Sequence, residues 1–182
     1  EAGDLFQREQ VDMIYCYVGT YSTSSQVLPA VQIPRVPVLV LNLQPSAALD
    51  YSRTDTAEWL ANCCACCVPE ISCAFSRCDI DFHVVSGMLR EEEGCEEPAR
   101  RAWREIREWT EAAGVQRLVR RSRMGFLGHT YPGMLDMYSD FTQHQGQLGT
   151  HVEILEMCDL AKMVAGVTGA EVKGKEEETL AI

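Results

Sequence analysis

Several things are scarce in this chain of 182 residues. No continuous apolar run approaches the ~18 residues of a membrane-crossing helix, which speaks against a membrane protein. Positive charge is in short supply. Sixteen Lys and Arg face 27 Asp and Glu, for a formal charge of -11. Such a chain repels phosphate backbones and anionic lipid, so nucleic acid and membrane surfaces are poor partners. The basic run QRLVRRSR, Gln116 to Arg123, reads as a solvated face or a helix end. There is no nucleophile elbow, no phosphate-binding P-loop, no GxGxxG and no internal repeat. The N-terminus, EAGDLFQREQ, is acidic and polar, unlike a signal peptide, and it lacks an initiator Met. It reads as the end of a helix in a piece of a longer polypeptide. Histidine is rare as well, with four in all and none within ten residues of the main cysteine cluster.

Apolar residues, by contrast, make up 46% of the chain, enough for a folded core. Five short apolar runs predict buried parallel strands: Val11–Val18, Pro37–Leu43, Phe82–Val85, Met124–Leu127 and Val152–Glu156. Helices are expected between them, over Ser24–Val31, Asp55–Cys67, Val68–Cys78 with Pro69 in its first turn, Pro98–Ala113 closed by Gly114, and Pro132–Gln147. Arg90–Glu97 reads as an acidic surface turn. Alternating strands and helices imply an α/β fold: a doubly wound, Rossmann-like parallel-sheet domain followed by part of a second α/β domain. The expected boundaries are residues 1–118, 119–165 and a linker or truncated end over 166–182, with a basic linker near the first boundary. Ligands in such folds sit beyond the carboxyl ends of the strands, so VGTYS, NLQPS, SGM and GHTYPG are the informative loops.

Nine cysteines, with no secretory signal, read as reduced thiols in a cytoplasmic protein. Four of them crowd into NCCACCVPE at Cys63, Cys64, Cys66 and Cys67. Interleaved CxxC pairs can grip zinc or an iron–sulfur cluster, but those sites draw a second pair from elsewhere in the chain. The reading preferred is helix packing or pocket lining by small hydrophobic side chains. A redox-active CxxC is set aside for want of a thioredoxin-like context. His83 reads as a core residue bonded to backbone, and His144 and His151 as surface groups. His129, directly after a strand, is a candidate binding residue or a turn residue serving its own loop. Asp136 and Asp140 read as an i, i+4 pair on a helix, with Glu153 and Glu156 on a strand. They do not converge, and are taken as solvated charges and a cap rather than an acid–base or metal set.

The run GHTYPGMLDMYSD, within Arg123 to Leu160, resembles the L-arabinose isomerase and L-fucose isomerase superfamily, most of all its arabinose-isomerase-like branch. YVGTYSTSSQVLPAVQ, PVLVLNLQP, WLANCCACCVPEISCAF and FHVVSGML extend the resemblance over Val11 to Leu160. It implies aldose–ketose isomerisation in carbohydrate metabolism, helped by Mn²⁺ and by carboxylates that move protons. It also implies a homo-oligomer, trimer or hexamer, in which N-terminal regions complete a neighbour's sugar pocket. Tyr21 falls on an aromatic pocket residue, and Glu70 on a family acidic residue. Cys63 and Cys66 fall where better-known members carry polar Gln and His groups that touch sugar, and the sequence departs from the family there. His129, Tyr131 and Met134 belong to a loop that reaches the site. No counterpart of the family's C-terminal metal ligands and acid–base glutamates is found. The expectation is a part of a sugar isomerase that holds no metal or catalytic residue itself. The alternative is a non-catalytic sugar-binding or interaction module on the same scaffold. A thiolate metal protein is a third possibility.

Overall fold

A computed structural model describes residues 1–128 and 133–181. The chain is mixed α/β with parallel sheets. It divides into two compact units, Glu1–Val115 and Gln116–Ile182.

The first unit runs α1 (Ala2–Arg8), β1 (Ile14–Tyr17), α2 (Ser24–Gln32), β2 (Val38–Gln44), α3 (Thr56–Ala61), α4 (Cys64–Arg77), β3 (Phe82–Met88) and most of α5 (Glu96–Arg121). Its strands form a three-stranded parallel sheet in the order β1-β2-β3, with Ile14 beside Val38 and Val38 beside Phe82. β2 is central and apolar, and successive side chains point to opposite faces. Val38 and Val40 join a core with Ile14, Val31, Cys64, Cys67, Val68, Ile71 and Phe75, built by α2 and α4. Leu39, Leu41 and Leu43 join Val85, Ala102 and Ile106 on the other side, under α5. Helices therefore cover both faces, which is why the strands read as continuous apolar runs. Phe75 and Ile71 are fully buried, each contributing roughly 1.5–3 kcal/mol through burial. Phe75 meets Phe82 edge-on at 5.7 Å between ring centroids.

On the far face α5 lies almost against the backbone of β3. A Cβ at Gly87 would stand 2.5 Å from the carbonyl oxygen of Pro98 and 2.7 Å from Cβ of Ala102. The helix is tied down elsewhere by side chains. Trp103 Nε1 donates to the carbonyl of Leu89 at 2.9 Å, and Thr110 Oγ1 meets the Tyr15 hydroxyl at 2.5 Å.

The second unit has β4 (Arg123–Leu127), a 3-10 turn (Leu135–Met137), α6 (Phe141–Leu148), β5 (His151–Leu155), α7 (Met157–Gly166) and α8 (Gly169–Leu180). β4 and β5 pair in parallel, Met124 beside Val152. Phe126 packs edge-on to Phe141 of α6, centroids 5.0 Å apart. Arg123 Nη2 donates to Glu153 Oε2 at 2.8 Å.

Several expectations need correction. The helix expected over Asp55–Cys67 is broken at Asn62–Cys63, and α4 starts five residues before Pro69 and runs through it. Pro69 and Ala65, whose carbonyl loses its helical donor, both lie on the exposed side, where water can serve that oxygen. Gly114 does not end α5, which continues through the expected linker to Arg121. One interior glycine costs only about 1 kcal/mol, and the residues after it are mostly good helix formers. The helix expected over Pro132–Gln147 is short, because Asp140 caps α6 by accepting from the backbone of Gln143 at 2.9 Å. Asp136 and Asp140 therefore do not share a helix, and Glu156 is the N-cap of α7 rather than a strand residue. The expected tail linker contains α8, started by a capping box between Thr168 and Glu171. His83 is not a backbone-bonded core residue. Its ring is 43% exposed, bonds Glu105 Oε1 through Nε2 at 2.7 Å, and lies tilted on Trp109.

By length and composition Thr56–Arg77 could cross a membrane, with mean hydropathy 1.2. Here it is two helices, and the apolar side of the second packs on the sheet.

The tight seat at Gly87 yields a test. Gly87→Ala should lower stability by about 1–3 kcal/mol, as overpacking does, seen as a lower denaturant midpoint with an unchanged slope.

Candidate functional site

The carboxyl ends of β1 and β2 meet the N-terminus of α4. The chain leaves β1 through buried Val18 and then turns at Gly19, where a side chain would strike the ring of Tyr17 at 2.9 Å. Thr20, Tyr21 and Ser22 follow. Thr23 caps α2, with its backbone N–H donating to Gln26 Oε1 at 3.4 Å and its hydroxyl meeting that of Ser25 at 2.9 Å.

On the other side, Asp55 caps α3 by accepting from the backbone of Glu58 at 2.8 Å. Cys63 is the N-cap of α4. Cys64 fastens this helix end to the sheet. Its thiol donates to the carbonyl of Val18 at 3.0 Å and lies 3.8 Å from that of Leu43. Cys67 is fully buried and Cys63 nearly so, whereas Cys66 is exposed. The Cys66 thiol points along the helix to Glu70 Oε1, 3.8 Å away.

Tyr21 stands half-exposed over this corner. The neighbouring Glu70 carboxylate, partial burial and the thiols of Cys66, Cys67 and Cys63 all push its phenol above the usual range. The hydroxyl thus stays protonated well past neutral pH and can both donate and accept. Burial first, then the nearby Cys67 and Cys66, push the Cys63 thiol up to about 11. Burial also raises Cys64. The corner therefore combines one carboxylate, one phenol and several thiols.

The structure thus brings Tyr21, from the loop after β1, within electrostatic reach of Cys63, Cys66 and Glu70, which share the first turns of α4. Met134 lies in the second unit, about half-exposed. His129 and Tyr131 lie outside the described residues. The carboxylates of the second unit have local duties: Asp140 caps α6 and Glu153 pairs with Arg123. Among the described residues, no three His, Cys, Asp or Glu side chains are placed to hold a metal ion.

Two polar residues at this end of the sheet escaped the reading of the sequence. Asn42 of β2 and Ser86 of β3 are register partners, and Asn42 Nδ2 donates to Ser86 Oγ at 2.9 Å. The Asn42 Oδ1 atom is shielded and lacks a hydrogen-bond partner, an unusual state for a buried amide oxygen. The signal was present in VLVLNLQ, where one amide interrupts an apolar strand. Neither comparison with protein-family models nor comparison with curated proteins finds a match to this chain.

Exposure sets an order of thiol reactivity. In the folded protein at neutral pH, iodoacetamide should label Cys66, Cys73 and Cys158 first, and Cys63, Cys64 and Cys67 only after unfolding. Where labelling of Cys63 is seen, its rate should climb about tenfold per pH unit towards a plateau near 11. Peptide mass spectrometry over a pH series measures both.

Proposed function

We propose that this chain is part of an aldose–ketose isomerase of the L-arabinose and L-fucose isomerase type, contributing substrate-pocket loops and subunit-interface surface. The observation that carries the reading is the meeting of Tyr21, Cys63, Cys66 and Glu70 at the carboxyl ends of β1 and β2, the place where α/β sheets bind small molecules. The resemblance implies an aromatic pocket residue at Tyr21 and an acidic family residue at Glu70, and it places Cys63 and Cys66 where other members carry sugar-contacting Gln and His. A sheet covered by helices on both faces supports a doubly wound, Rossmann-like domain.

The corner's chemistry favours a neutral polyol. The Tyr21 hydroxyl and the Glu70 carboxylate can each bond a sugar hydroxyl, and the ring of Tyr21 offers an apolar face. The Glu70 charge, on a chain of formal charge -11, disfavours phosphorylated sugars. The corner does not suit Mn²⁺, which prefers carboxylate, imidazole and water ligands, whereas the groups here are thiols beside a single carboxylate. In this reading the chain's own residues bind and orient the sugar. No proton transfer is assigned to them, and the metal and acid–base groups lie elsewhere in the assembly. Homo-oligomerisation and a cytoplasmic location belong to the same proposal.

The test is titration of the chain with L-arabinose, L-fucose and their phosphates, followed by ligand-observed NMR. Neutral sugars should bind, phosphates should bind more weakly, and Tyr21→Phe should weaken sugar binding by about 0.5–1.5 kcal/mol, roughly 2- to 10-fold. No binding of neutral sugar, or a preference for phosphates, would sink the reading. Assays for ketose with added Mn²⁺ separate the alternatives. Peptide mapping of the native polypeptide past Ile182 should find further chain, with turnover appearing only in that longer protein. Sugar binding by a native polypeptide that ends at Ile182 would instead favour a non-catalytic sugar-binding module.

A further inference from the structure

We propose that Cys63 and Cys66 form a reversible disulfide, making the first turn of α4 a thiol-oxidation site. This inference is independent of the sugar reading.

The backbone supplies the geometry. The carbonyl of Cys63 accepts from the N–H of Cys66 at 3.1 Å, an i to i+3 bond, and also from that of Cys67 at 3.2 Å. Such a turn holds the two Cα atoms within about 7 Å and brings side chains i and i+3 towards eclipse, compatible with the Cα spacing of a disulfide. Cys63 is the N-cap, at the flexible edge of the helix, with φ -83° and ψ 15°. The thiols of Cys66 and Cys67 are close enough to act electrostatically on that of Cys63.

The neighbouring pairs are less suited. Cys64 and Cys67 both lie within the regular helix, where Cβ atoms three apart are about 5–6 Å distant, too far for a disulfide without distortion. Cys64 is also engaged with the carbonyl of Val18. Cys67 is fully buried and closed to an incoming reagent, whereas Cys66 is open to solvent.

Exposure assigns the roles. Cys66 attacks, and Cys63, whose thiol is held neutral by burial, resolves. With a low-molecular-mass disulfide R–S–S–R as oxidant, the Cys66 thiolate attacks one sulfur. A Cys66–S–S–R bond forms and one R–S⁻ leaves, taking up the proton that Cys66 released to water. Cys63 then loses its proton and attacks the Cys66 sulfur. The Cys63–Cys66 bond forms, and the second R–S⁻ leaves and takes up that proton. Two electrons pass from the protein dithiol to the reagent, which becomes two R–SH. The titratable groups beside the pair are Glu70, Tyr21 and Cys67. Closure withdraws the Cys66 S–H from Glu70.

The experiment equilibrates the whole chain with glutathione disulfide, counts free thiols after unfolding, and locates the bond by fragmentation mass spectrometry. Fragmentation should map a Cys63–Cys66 bond that accounts for two of the nine thiols, apart from glutathione adducts on exposed Cys73 and Cys158, and all nine should return with dithiothreitol. C66S, altered at an exposed position, should show no disulfide or adduct at Cys63. C63A should retain a glutathione adduct on Cys66. Circular dichroism checks that each variant is folded, and the wild-type mapping stands without either. An unchanged thiol count, a lasting glutathione adduct on wild-type Cys66, or a bond mapped to Cys67 would overturn the proposal.

Discussion

The first unit depends on the two-sided burial of β2. Every second side chain of this strand belongs to a different core, valines under α2 and α4, leucines under α5. A slip of one residue would exchange the two sets and misfit both layers. The central position of β2 in a parallel sheet fixes where β1 and β3 end, and hence where the loops after them open. The corner formed by Tyr21, Cys63, Cys66 and Glu70 exists because β1 ends at Tyr17, beside Leu41, while β2 runs on to Gln44, and a cysteine thiol ties the next helix to the carbonyls of Val18 and Leu43.

Cysteine has three different jobs within five residues. Cys64 is a weak donor to backbone oxygens, Cys67 is core packing, and Cys63 with Cys66 makes a dithiol turn. A larger polar residue at position 64 could not fit between α4 and the sheet without shifting one of them. The small size of the thiol lets the helix end come close to the strands, and its weak hydrogen bonding suits a place almost closed to water.

Strands were legible in the sequence as short apolar runs, but the burial expected of all five holds best for β2; β4 and β5 are mostly exposed, and Tyr15 and Tyr17 of β1 are half-exposed. β2 and β3 begin within one residue of expectation, although β1 is shorter than its apolar run. Helix ends were less legible. Pro69 and Gly114 are strong local stop signals, yet each lies in a helix held by contacts or by favourable neighbours on either side. The Thr168 and Glu171 capping box was visible in TGAE, but the glycines and charges around it made the segment look like a linker. Among site residues, Tyr21, Cys63 and Cys66 were found through resemblance. Cys63 and Cys66 are neighbours by local spacing, whereas the approach of Tyr21 to them comes from strand order, which no local pattern carries. Asn42 and Ser86 were missed because a polar residue in a strand announces itself only once its partner strand is known.

The placement of α4 in the chain also bears on how the protein is made. Its apolar side would be an open hydrophobic surface on a growing polypeptide, and Thr56–Arg77 has the hydropathy of a membrane segment. Yet much of its seat, Phe6, Val11, Ile14, Cys16, Val18, Val31, Val38 and Val40, lies earlier in the sequence. During synthesis from the N-terminus, β1, α2 and β2 leave the ribosome before the helix does. The surface that shields it is therefore already synthesised when it emerges, and β3 arrives later to extend the sheet beneath it. Reversing that order, as a circular permutation opened between β2 and α3 would do, would deliver the greasiest helix first, with no surface to receive it.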